Sequence, residues 1–67
     1  MSEAEILERI EAIRGSDDDA AQHRMEDELH RDFLTALVTG AVPVADMPKL
    51  AALVLSTSEL PFSRGHE

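Results

Sequence analysis

Two histidines and two carboxylates on one predicted helix are the group of side chains in this sequence whose types and spacing could support chemistry. His23, Glu26, Asp27 and His30 follow the pattern H-x-x-E-D-x-x-H. With 3.6 residues per helical turn, the four side chains fall within an arc of about 100° and share one face. Imidazole nitrogens and carboxylate oxygens can bind Zn²⁺ and can also pair with each other.

Three interpretations of this polar cluster are open. It can be a structural network in which imidazoles and carboxylates satisfy each other where a helical hairpin opens. It can be a dimer seam that pairs a histidine of one chain with a carboxylate of another. It can be a metal site, although the spacing differs from the helical H-E-x-x-H pattern and only His66 remains as a further histidine. The same arc continues into Leu34, Leu37 and Val38, which predicts that the cluster faces inward.

Other signs of catalysis are weak in the sequence. The serines lie at predicted helix ends or in the tail, and no base is positioned beside them. The three glycines each end an element, so no phosphate-binding loop is formed. We therefore expect a protein that is not an enzyme and needs no cofactor.

The first element that the sequence predicts is a helix over about residues 3–14. Ser2 and Glu5 form a capping box, in which each side chain reaches the other's backbone amide. Isoleucines at positions 6, 10 and 13 then form one apolar face. Gly15 follows, where a left-handed residue often ends a helix.

A second, longer helix is predicted over about residues 17–39. Ser16 is its expected N-cap, and three aspartates in the first turn favour the positive end of the helix dipole. Its predicted apolar stripe is Leu29, Phe33, Leu34, Leu37 and Val38. Gly40 ends the helix.

A short third helix is predicted over about residues 47–56, with Asp46 as its cap and Pro48 in its first turn. After it, Leu60 and Phe62 are expected to lie back on the hairpin, while residues 63–67 fray. The prediction is one all-α domain of residues 1–67, composed of a helical hairpin, a short third helix and an extended C-terminal tail.

The charge is strongly and unevenly negative. The net charge is −8, and eleven of the fourteen acidic residues lie in the first 32 positions. Such a field repels nucleic acid and anionic lipid and attracts a basic protein. We therefore expect a basic protein partner, no direct nucleic-acid binding and no membrane association. Solubility alone is a simpler explanation of the charge.

Size and composition set further limits. A chain of 67 residues without cysteine has a marginal core and no disulfide to reinforce it. The acidic N-terminal sequence does not resemble a signal peptide, and no apolar run approaches the ~20 residues of a membrane span. A cytoplasmic location is expected. Self-association that completes the core, as a homodimer, is one alternative function.

Part of the sequence resembles small uncharacterised helical proteins of phages and prophages. The similar segments are His23 to Leu29, Phe33 to Leu37, Leu50 to Leu53 and Leu60 to Arg64, within residues 17–64, and they include the H-x-x-E-D element. The resemblance implies a phage-like origin and, if so, a location in the host cytoplasm. It implies no catalytic residue.

The leading expectation is a small interaction protein that binds through an acidic helical surface. If the origin is phage-like, one version is an inhibitor of a host nucleic-acid machine, of the anti-CRISPR or anti-restriction kind, that occupies a basic groove as a DNA mimic. Arginines interrupt this surface, and we expect intrahelical Glu5–Arg9 and Asp27–Arg31 pairs. The expected binding residues are Glu3, Glu8, Glu11, Asp17, Asp18, Asp19, Glu28 and Asp32. A small metal-binding protein using the polar cluster is the other alternative.

Overall fold

The computed structural model describes residues 1–63 as an all-α fold. Three α-helices follow one another: α1 (Glu3–Arg14), α2 (Asp19–Thr39) and α3 (Met47–Leu55). One-turn 3₁₀ helices precede and follow α3, at Val44–Asp46 and Ser56–Glu59. The predicted fraying of the tail beyond Ser63 concerns residues outside this range.

The hairpin of α1 and α2 is the main unit of the fold. Ser2 caps α1 as predicted, because its side chain accepts a hydrogen bond from the Glu5 amide. The turn is closed by Gln22, whose buried side-chain amide donates to the Ile13 carbonyl at 2.8 Å. This bond satisfies a carbonyl at the end of α1 that has no partner within the helix.

The end of α1 and the start of α2 differ from the prediction, whereas α2 ends at Gly40 as predicted. Gly15 has a right-handed backbone, with φ of −82°, so it is not the left-handed residue that was expected. Gly40 is left-handed, with φ of 78°. Helix α2 begins two residues late, because Asp18 accepts from the Ala20 amide as its N-cap while the Ser16 hydroxyl accepts from the Asp18 amide.

The core is formed where α3 and the tail cover the hairpin. Helix α1 packs against both α2 and α3. The predicted return of the tail is confirmed, since Phe62 is buried and Leu60 packs against the core. The buried apolar residues are Ile6, Ile10, Ile13, Leu29, Phe33, Ala36, Val42, Leu50, Val54 and Phe62.

The predicted apolar stripe of α2 is wrong in two positions. Leu34 is 61% exposed and Val38 is 87% exposed, whereas Leu29 and Phe33 are buried. The buried face of α2 consists of Gln22, Glu26, Leu29, Phe33 and Ala36. The face of α2 that packs on the core therefore includes Gln22 and Glu26 of the polar N-terminal half. Leu34 and Val38 face outward instead.

Candidate functional site

The polar cluster of α2 does not converge on one point. Glu26 lies on the buried face, with 6% of its surface exposed. His23 pairs with Asp27 one turn away, at 3.4 Å between Nε2 and Oδ2. His30 turns instead toward Thr57, at 3.0 Å between Nε2 and Oγ1. Asp27 is exposed, so the prediction that all four side chains face inward is wrong for this residue.

The cluster has correspondingly limited chemistry. Among residues 1–63, no group of three or more His, Cys, Asp or Glu side chains is placed to hold a metal ion. His66 lies outside the described residues. His23 contacts Asp27 on the same helix, and His30 contacts Thr57 in the turn after α3. The first contact lies within α2, and the second connects α2 to the 3₁₀ helix that follows α3.

The hydroxyl groups of three serines serve local structure. Ser2 accepts from the Glu5 amide, and Ser16 accepts from the Asp18 amide. Ser56 donates to the Leu53 carbonyl at 2.5 Å. These bonds fix helix ends and turns, as serines at such positions usually do.

The expected acidic surface is partly neutralised. Glu3 accepts from Lys49 at 2.9 Å, and this carboxylate raises the pKa of Lys49 above its ordinary value. Glu11 pairs with Arg14. Asp18 caps α2, and Asp19 lies in its first turn. The charges of Glu3 and Glu11 are thus offset by neighbouring cations, and Asp18 has a structural role as the cap of α2.

The predicted intrahelical pairs are replaced by other contacts. Arg9 pairs with Asp32 of α2 at 2.9 Å rather than with Glu5. Asp27 pairs with His23 rather than with Arg31. The Arg9–Asp32 pair therefore joins the two arms of the hairpin, which a sequence pattern at i, i+4 spacing does not reveal.

An acidic groove runs along the outside of the α1–α2 contact. A cavity of about 380 Å³ on one side of Arg9 is lined by Glu5 and Asp32 among others. A cavity of about 170 Å³ on the other side is lined by Glu28. Glu5, Glu28 and Asp32 line these cavities, and we call them, together with the exposed Glu8, the acidic groove. Glu8 lies one turn from Glu5 on α1.

Three of these carboxylates carry charge that the described residues do not neutralise. Glu5, Glu8 and Glu28 are exposed. None of the ion pairs formed within residues 1–63 includes them. Asp17 is likewise exposed and outside those ion pairs, but it lies in the turn between the helices. Glu8 and Glu28 were expected from the sequence; Glu5 was assigned to capping and missed as part of this surface.

A second surface feature is apolar and was missed by sequence reasoning. Leu34 and Val38 of α2 and Leu55 of α3 are exposed. A cavity of about 300 Å³ between the two helices is lined by Leu34, Leu37, Ala51 and Leu55. The signal was present in the sequence as a second set of apolar positions on α2, but it was read as part of the core-facing stripe.

The chain matches no protein-family model, and no curated protein or solved structure is significantly similar to it. The resemblance to phage and prophage proteins therefore stays a prediction from the sequence. No helix within residues 1–63 is both long and apolar enough to span a membrane.

Proposed function

We propose that this chain is a non-enzymatic protein-binding module whose acidic groove receives a basic segment of a partner protein. The observation that carries the proposal is a set of three exposed carboxylates: Glu5 and Glu28 line the cavities on either side of Arg9, and Glu8 lies one turn from Glu5 on α1. None of the three forms an ion pair within residues 1–63. Solvated charges on a rigid scaffold steer and orient a partner of opposite sign.

The packing of the two helices favours specific recognition of a partner at this groove over general attraction by the net negative charge. The Arg9–Asp32 ion pair, at 2.9 Å, joins the two helices beside Glu5 and Glu28. Because both helices are packed on the same core, the backbone positions that carry the carboxylates are held at a set spacing before a partner arrives. A preorganised site loses less conformational entropy on binding. A nucleic-acid-binding protein, with basic residues spaced for phosphates, is the partner class that we favour.

The matched experiment compares two variants of equal charge. Glu8→Gln/Glu28→Gln removes two charges from the groove region, and Asp46→Asn/Glu59→Gln removes two exposed charges from the α3 end. Each is used to capture proteins from a cell extract at about 50 mM and about 500 mM salt. We expect a basic protein that the wild type and the α3-end variant retain at low salt and that the groove variant loses.

The result that rejects the proposal is equally specific. If the two variants lose partners to the same extent, net charge and not the groove explains the binding. If capture is unchanged between the two salt concentrations, charge does not drive it, since exposed ion pairs are screened at a separation of about 10 Å in about 0.1 M salt.

A further inference from the structure

The outer face of α2 carries a regular strip of exposed residues, of which only Asp27 has an ion-pair partner among residues 1–63, namely His23 one turn away on the same helix. Positions 20, 24, 27, 31, 34 and 38 are spaced alternately by four and three residues, as in the a and d positions of a coiled coil. All six residues are exposed. We call this set the α2 seam, and it consists of Ala20, Arg24, Asp27, Arg31, Leu34 and Val38.

The two arginines of this seam differ from the other cations of residues 1–63 in their ion pairing. Arg9, Arg14 and Lys49 each pair with a carboxylate. Arg24 and Arg31 take part in none of the ion pairs formed within residues 1–63. In a protein of net charge −8, these two arginines lie on the same strip as the exposed Leu34 and Val38.

We propose that the α2 seam binds a second copy of this chain, with the two α2 helices antiparallel about a two-fold axis. In this register Asp27 of each chain faces Arg31 of the other. Leu34 faces Arg24, whose aliphatic stem can cover an apolar side chain. Val38 faces Ala20 in the outermost layers.

The order of charges selects the antiparallel arrangement. A parallel pair would place Asp27 against Asp27 and Arg31 against Arg31, and like charges in contact oppose association. A two-fold interface also requires each patch to be complementary to itself, which an Asp27–Arg31 centre satisfies. The acidic groove lies on the side of α2 that faces α1, so this inference is independent of the proposed function.

The area of the seam predicts weak association. The face of one 21-residue helix is smaller than the ~800 Å² per partner of a stable complex. The neighbouring Leu55 and the cavity between α2 and α3 extend the apolar surface beside the seam. We expect a monomer–dimer equilibrium that shifts toward dimer as the concentration rises toward about 1 mM, which concentration-dependent sedimentation velocity measures.

Charge reversal gives the decisive test. Asp27→Arg and Arg31→Asp should each weaken the dimer by about tenfold or more, and the double variant Asp27→Arg/Arg31→Asp should restore it. Val38→Ser should weaken it, while the matched variant Val44→Ser, at a site 78% exposed outside the seam, should not. A wild-type chain that sediments as a monomer at about 1 mM, or a double variant as weak as the single ones, overturns the proposal.

Orientation has its own readout, because the native chain contains no cysteine. Ala20→Cys mixed with Val38→Cys should oxidise to a mixed disulfide dimer, and Val38→Cys alone should remain mostly reduced. Preferential formation of the Val38→Cys homodimer contradicts the antiparallel register. Unchanged helicity by circular dichroism shows that each variant is folded, as expected for exposed positions.

Discussion

Nε2 of His30 and Oγ1 of Thr57 lie 3.0 Å apart and join the middle of α2 to the turn that follows α3. Thr57 is fully buried, and its hydroxyl donates to the Val54 carbonyl at 3.1 Å. A hydroxyl has one hydrogen to donate. The His30 nitrogen must therefore carry the hydrogen in this contact, and the imidazole is the donor.

Removing the Thr57 hydroxyl should destabilise the domain. Thr57→Val keeps the shape of the side chain but leaves His30 without this acceptor, and we expect a loss of about 1–3 kcal/mol in the free energy of unfolding. Urea denaturation measures it. Thr35→Val is the control, because the Thr35 hydroxyl bonds the Arg31 carbonyl at an exposed site, and it should change stability by less than about 0.5 kcal/mol. Equal effects of the two variants would contradict a special role for Thr57.

The two glycines that end α1 and α2 should respond differently to alanine. Gly40→Ala forces a side chain into a backbone with φ of 78° and should cost about 1 kcal/mol. Gly15 is right-handed, and an added Cβ would lie 3.3 Å from the Glu11 carbonyl oxygen. This close contact opposes the gain that a less flexible unfolded chain gives, so Gly15→Ala should stay within about 0.5 kcal/mol of the wild type in thermal unfolding. A larger loss for Gly15→Ala than for Gly40→Ala would refute these assignments.

The fold could be predicted from sequence because its signals are local. The capping pair of Ser2 and Glu5 and the isoleucine spacing determine α1, and Gly40 marks the end of α2. What sequence could not supply was the rotation of α2. Leu34 and Val38 are apolar like Leu29, so the periodicity of apolar residues is compatible with either of two faces of α2 packing on the core. The packing of α1 and α3 selects the face that contains Gln22 and Glu26.

The polar cluster shows the same limit at the level of single contacts. Helical spacing placed His23 and Asp27 on one face but predicted Arg31 as the partner of Asp27, whereas the pair that forms is with His23. It could not predict that His30 contacts Thr57, which is 27 residues away, or that Arg9 contacts Asp32, which is 23 residues away. These contacts depend on how the helices pack against one another, and that packing is determined by many core residues together.

The aspartates before α2 should separate into structural and surface groups. Asp18 accepts from the Ala20 amide, so Asp18→Ala should lose about 1 kcal/mol of stability. Asp17 is exposed and forms none of the ion pairs within residues 1–63, so Asp17→Ala should leave the melting temperature nearly unchanged. Thermal unfolding of the two variants checks this. A larger decrease in melting temperature for Asp17→Ala than for Asp18→Ala would show that Asp18 is not the cap.

The Glu3–Lys49 pair should make stability depend on alkaline pH. The hydrogen bond and charge of Glu3 raise the pKa of Lys49 above 10.5 in the folded state. The pair therefore contributes fully below 10.5 and is lost as pH rises through the higher folded value. The melting temperature of Lys49→Gln should lie below that of the wild type near neutral pH, and the difference should shrink above pH 10.5. Arg9→Gln is the control, because an arginine does not titrate there and its deficit should persist.

Substitution of two leucines on opposite sides of α2 tests its rotation directly. Leu29 is fully buried, so Leu29→Ala should cost about 2–5 kcal/mol through lost burial and the cavity it leaves. In a domain of this size each kcal/mol lowers the melting temperature by about 4–8 °C, so this variant should be largely unfolded at moderate temperature. Leu34→Ala removes the same atoms from a side chain that is 61% exposed and should cost less than about 1 kcal/mol. Comparable losses would mean that Leu34 is buried, in which case both the observed face of α2 and the exposed seam derived from it would be wrong.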